Sequence, residues 1–105
     1  MTLVVILTVR SEALDKFRTF EKRAATVMAK YGGAIERTVV VPPSRTGDFV
    51  KEVHLVTFPN EQALLAYQND EGLKKLSHLR QESVVQTEIM VGEDGPNYGA
   101  PARSQ

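Results

Sequence analysis

The chain contains no cysteine, and that absence removes disulfides, thiolate nucleophiles and cysteine-based zinc sites together. Histidine is nearly as scarce. His54 and His78 are the only two, neither in HxH nor in HExxH spacing, so no dedicated metal site is expected. Net charge is missing as well: thirteen basic residues stand against thirteen acidic ones, for a formal charge of zero. That balance gives no electrostatic basis for nucleic-acid binding. No basic stripe hides within it, because Lys16, Arg18, Lys22 and Arg23 are interleaved with Glu12, Asp15 and Glu21. The pattern reads as a solvated helix face stitched by opposite charges. Long apolar runs are absent too. The opening Leu3–Leu7 is β-branched, lacks a basic leader and is far too short to cross a bilayer. A soluble, cytoplasmic, single-domain protein of 105 residues with no membrane partner is the expectation.

What is present alternates between two periodicities. Thr2–Arg10 (TLVVILTVR) is short, apolar and β-branched, and predicts a strand. Ser11 offers an N-cap oxygen, after which Leu14, Phe17, Phe20, Ala24, Val27, Met28 and Tyr31 form one helical stripe. Gly32 and Gly33 end that helix. Ala34–Val41 predicts a second strand, stopped by Pro42 and Pro43, and the polar stretch PPSRTGD suits a long hairpin loop. Val50–Phe58 predicts a third strand; Pro59 cannot extend a central one, and Asn60 is a ready cap for a second helix. That helix runs from Glu61 to about Gln81, interrupted at NDEG, where Asp70 can cap a fresh segment and Gly72 weakens the helix. Val84–Val91 predicts a fourth strand. Residues 1–92 make the domain, and 93–105 an arm that either lies over a partner subunit or frays.

The order β-α-β-β-α-β is the ferredoxin-like plan of the α+β class: a four-stranded antiparallel sheet with two helices on one face. A sheet with one wet face alternates apolar and polar residues, and these strands do not. Leu3, Val5, Leu7 and Val9 oppose Val4 and Ile6; Val39 and Val41 oppose Val40; Val53 and Leu55 oppose Val56 and Phe58; Val85 and Ile89 oppose Val84 and Met90. Two helices cover one face only. A standard interface buries about 800 Å² per partner. At about 25 cal/mol per Å² of apolar area the gross gain is on the order of 10 kcal/mol per subunit. The expected solution is a homodimer paired sheet to sheet.

The stretches FRTFEKRAATVMAKYGGAIER and VHLVTFPNEQALLAYQND resemble the small dimeric α/β-barrel superfamily. They are most similar to one of its families of unknown function, related to the antibiotic-biosynthesis monooxygenases and muconolactone isomerases. The matching features are Tyr31-Gly32-Gly33, Phe58-Pro59, Ala63, Tyr67 and Arg80, spread over most of Leu3 to Val91. The resemblance implies a barrel formed by two ferredoxin-like subunits, with small hydrophobic ligands held between sheet and helices. The sequence departs from better-known relatives in having no tryptophan, and in placing Gly72 where an aromatic residue is frequent.

Two functions are open on this reading: a small cofactor-free monooxygenase- or isomerase-like enzyme, or a non-catalytic dimeric binding module. For the first, Glu52 and His54 are the catalytic candidates. They share a strand face with side chains about 7 Å apart, too far for a hydrogen bond but near enough to line one cavity. An imidazole, with an unperturbed pKa of about 6.5, suits proton transfer at neutral pH. For the second, the same residues form a polar pair at a dimer interface. Tyr67, Arg37, Arg80 and Phe58 are the candidate substrate-binding residues, each with a structural alternative. Tyr67 is otherwise a core tyrosine, Arg37 an edge-strand charge, Arg80 a tie between helix and sheet, and Phe58 core. Tyr31 reads as packing and His78 as solvated.

Overall fold

A computed structural model describes residues 1–43 and 45–99. The strands are β1 (Thr2–Arg10), β2 (Ala34–Val41), β3 (Phe49–Thr57) and β4 (Val84–Gly92), and the long helix is α1 (Leu14–Ala29). The predicted second helix is three short pieces, α2 (Glu61–Gln68), α3 (Glu71–Lys74) and α4 (Ser77–Ser83). All pairings are antiparallel and the sheet order is β2-β3-β1-β4, the ferredoxin-like arrangement.

The helix ends follow the local chemistry. Gly32, at φ 74°, takes a conformation that costs glycine nothing. It donates to Ala29 O, and Gly33 donates to Met28 O, the paired bonds of a Schellman turn. A Cβ on Gly33 would lie 2.5 Å from both Met28 Cγ and the Phe58 ring, so the turn packs directly on the core. Asn60 caps α2, its Oδ1 accepting from Ala63 N at 2.8 Å. The break at NDEG is real: Asp70 Oδ1 accepts from the backbone of Gly72 and Leu73 at 2.7 and 3.2 Å. Its other oxygen accepts from the Tyr31 hydroxyl at 2.6 Å, so Tyr31 fastens the end of α1 to the start of α3.

Ser11 does not cap α1. The chain leaves β1 through a 3₁₀ turn at Ser11–Ala13, and the residue before the helix is Ala13, which has no capping side chain. Ser11 N donates instead to Asp48 O at 3.0 Å, and its buried hydroxyl meets no partner among the described residues.

Both helical layers lie on one face. Leu3, Met28, Val56 and Phe58 form one core cluster, against which Ala63, Leu64 and Tyr67 of α2 pack. Leu7, Val9 and Phe17 form another. On the opposite face Val39, Val41, Phe49, Leu55 and Met90 are exposed, with Val4, Ile6 and Val53 half-buried between them. Two bulges redirect side chains. One lies between Ile35 and Arg37, so Arg37 pairs with Leu55 of the open face while Ile35 pairs with Val56 of the covered one. The other skips Val85. Val84 then pairs with Val9 and packs on the covered face, on the same side as Ile89 rather than opposite it.

β4 ends at Gly92, and residues 93–99 beyond it contain no strand or helix. The remainder of the 93–105 arm lies outside the described residues. No helix among the described residues is long and apolar enough to cross a membrane.

Candidate acid–base cavity

Between the sheet and the helices lies a cavity of about 350 Å³, within the range typical of small-molecule sites. Its wall is mostly apolar, and its polar members come from every layer: His54 of β3, Thr87 of β4, Glu21 of α1, Tyr67 and Gln68 of α2, Lys74 of α3, and Ser77 and Arg80 of α4.

His54 anchors the sheet side. Alternation along β3 turns Val50, Glu52, His54 and Val56 toward the helices, and all four are buried, Glu52 at 5% and His54 at 4% exposure. The two polar residues touch, with His54 Nε2 2.9 Å from Glu52 Oε1. The expectation that strand spacing keeps them apart is therefore wrong. The spacing of about 7 Å describes where the side chains leave the backbone, and a glutamate and a histidine are long enough to lean across it. An ionised carboxylate only accepts, so Glu52 holds the proton on Nε2 and turns the other nitrogen, Nδ1, toward α1. Arg18 Nε stands 3.8 Å from Glu52 Oε2. The Phe17 ring packs at 6.5 Å from the imidazole, inclined by 33°.

Nδ1 faces Glu21 Oε1 at 3.9 Å. Burial raises the Glu21 carboxyl above the ordinary glutamate value; the charge of Glu52 adds to this, while His54 and Arg80 oppose it. The Tyr67 hydroxyl is pushed up to about 12, chiefly by burial and further by Glu21, against a lowering by Arg80. Tyr67 packs on Phe58 with ring centres 5.4 Å apart. Arg80 donates from Nη2 to Thr87 Oγ1, so it ties helix to sheet and lines the cavity as well.

Of the residues singled out from sequence, His54, Tyr67, Arg80 and Phe58 meet in this cavity. Glu52 stands behind His54 without lining it. Arg37 is carried by its bulge to the other face of the sheet and lines no part of the cavity. The charge pattern puts Glu21 on the solvated helix face, yet its side chain is only 20% exposed. The signal is in the stripe, because Glu21 comes four residues after Phe17 and three before Ala24. His78 is exposed, as its position predicts. No group of three or more metal-ligating side chains suited to a metal ion occurs among the described residues.

No protein-family model matches the chain, and no curated protein matches it in sequence. Solved structures do match. The cofactor-independent oxygenase SnoaB from Streptomyces nogalater superposes with a TM-score of 0.58 at 12% identity, over 90% of this chain and 93% of that one. An antibiotic biosynthesis monooxygenase gives 0.61 at 13% identity, over 91% and 100%. The RPA0582 protein of unknown function from Rhodopseudomonas palustris gives 0.65 at 12%, over 90% and 84%. The chain thus shares the ferredoxin-like α+β fold of these structures.

Proposed function

We propose that the protein is a cofactor-free enzyme that begins its reaction by removing a proton from carbon in a small hydrophobic, oxygen-bearing substrate, with His54 as base. The observation that carries this reading is a single contact. Glu52 holds the imidazole by Nε2 at 2.9 Å, and His54 stands at the wall of a mostly apolar cavity. A base positioned in this way contributes about 10²–10⁴-fold to a proton transfer. The carbanion or enolate so formed is common to both reactions suggested by the fold. Reprotonated at a different atom it gives an isomer. Captured by dioxygen, it supplies the electrons itself, and a methylene plus O₂ becomes a carbonyl plus water. Glu52 is then a positioning residue, and Tyr67, Arg80 and Phe58 are substrate-binding.

Two features weigh against a purely structural module. The cavity is open rather than filled by its own side chains, and Glu52 and His54 satisfy each other within one chain. The test is deuterium incorporation from D₂O at the acidic carbons of 2-tetralone, monitored by proton NMR with oxygen uptake recorded in parallel. The native chain should exceed the buffer rate, and His54→Gln should lose at least about 10²-fold of the excess. Equal rates would remove His54 from the mechanism.

The same reading includes a homodimer in which the open sheet face meets its copy. Val39, Val41, Leu55 and Met90 supply an exposed apolar surface there, continuous with half-buried Val4, Ile6 and Val53. The chain's own helices all pack on the other side.

A further inference from the structure

Enolisation needs two proton-handling groups, one to take the proton from carbon and one to place a proton on oxygen. We propose that Glu21 is the second catalytic acid–base residue, donating to the substrate's carbonyl oxygen while His54 Nδ1 takes the proton from the adjacent carbon. This rests on the reading of the cavity as a proton-transfer site, and it narrows the substrate to a ketone with an acidic neighbouring C–H.

The geometry of the two groups is the first argument. Glu21 Oε1 and His54 Nδ1 are 3.9 Å apart, beyond hydrogen-bonding distance, so neither consumes the other. Both line the cavity. A carbonyl and its α-carbon seated beside them bring an oxygen within about 3 Å of one and a hydrogen within reach of the other. The second argument is placement. Lys16 and Arg18 of the same helix are more than half exposed, at 56% and 51%, whereas Glu21 is turned inward at 20%. Burial favours its neutral form, the form that donates.

The step balances without any further reagent. The C–H bond breaks with its proton going to Nδ1, the electron pair moves toward oxygen, and an O–H bond forms with the proton of Glu21. Ketone becomes enol, leaving an imidazolium beside a carboxylate. Transfer of one proton back from His54 to Glu21, once product leaves, restores both.

The groups facing Glu21 are His54 and Glu52 from β3, Tyr67 from α2 and Arg80 from α4. Tyr67, pushed up to about 12, does not titrate in the working range. The experiment measures deuterium incorporation into 2-tetralone across pH for the native chain and for Glu21→Gln, Glu21→Asp and His54→Gln, with melting curves for each. Glu21→Gln should lower kcat by about 10²–10³-fold, leave KM within about threefold, and lose the fall in rate that the native chain shows as pH rises through the Glu21 value. Glu21→Asp, which keeps an acid, should recover part of the rate and the alkaline fall; it carries the test if the Gln variant melts early. A Glu21→Gln rate equal to native, with His54→Gln inactive, overturns the role of Glu21 and leaves the proton-transfer reading standing. A native chain no faster than buffer overturns both.

Discussion

The two faces of this sheet are made from nearly the same residue types and differ in what stands among them. Toward the helices, Leu3, Leu7, Val9, Val50 and Val56 are buried, and Glu52 and His54 are buried with them. Toward the open side, Val39, Val41 and Leu55 are accompanied by Arg37 and Lys51, all exposed. Apolar content therefore does not separate the two faces; the polar exceptions do. A charge on the open face keeps its water. A buried polar pair gives that up and is a weak source of stability even when satisfied, which is why the proposed function is placed on Glu52 and His54.

The largest effect expected from breaking this contrast is on the open face. Leu55→Asp would place two carboxylates, related by symmetry, inside the proposed sheet-to-sheet interface. Arg37 pairs beside Leu55 and offsets part of each charge, so each carboxylate costs less than the roughly 3–5 kcal/mol of an unpaired buried one. The proposed dimer should dissociate, halving the mass seen by light scattering at micromolar concentration and leaving the circular dichroism spectrum unchanged. A dimer that persists would exclude this face as the contact. On the covered face, Phe17→Ala removes a fully buried ring that packs under His54. It should lower unfolding free energy by about 3–5 kcal/mol in urea titrations, and a loss below about 1 kcal/mol would mean the layer beneath the cavity is loosely packed.

A smaller effect concerns pH. A carboxyl raised in the folded state binds its proton more tightly there than in the unfolded chain, so stability falls as pH climbs from the ordinary value through the raised one. Glu21 is such a group. Glu21→Gln should flatten that part of the stability curve and leave the variant more stable than native at neutral pH. An unchanged slope would show that Glu21 is solvated.

Much of the fold is legible in the sequence because period-two and helical stripes, the Gly32-Gly33 stop and the Asn60 and Asp70 caps each carry a local physical signature. The bulges do not. An extra residue such as Glu36 or Val85 leaves no mark in composition, yet it reverses the side on which Arg37 and Val84 stand. The cavity is partly legible: His54, Tyr67, Arg80 and Phe58 stand out by residue type and position. The Glu52–His54 contact does not, because backbone spacing says nothing of how long side chains lean. Glu21 is hidden because its charge outweighs its place in the apolar stripe.

The division of labour between the two faces is tested most directly by amide chemical-shift mapping of the ¹⁵N-labelled protein titrated with 2-tetralone. Shifts centred on Leu7, Glu21, His54 and Thr87 are the predicted result. Shifts confined to Val39, Leu55 and Met90, with the His54 region silent, would contradict it.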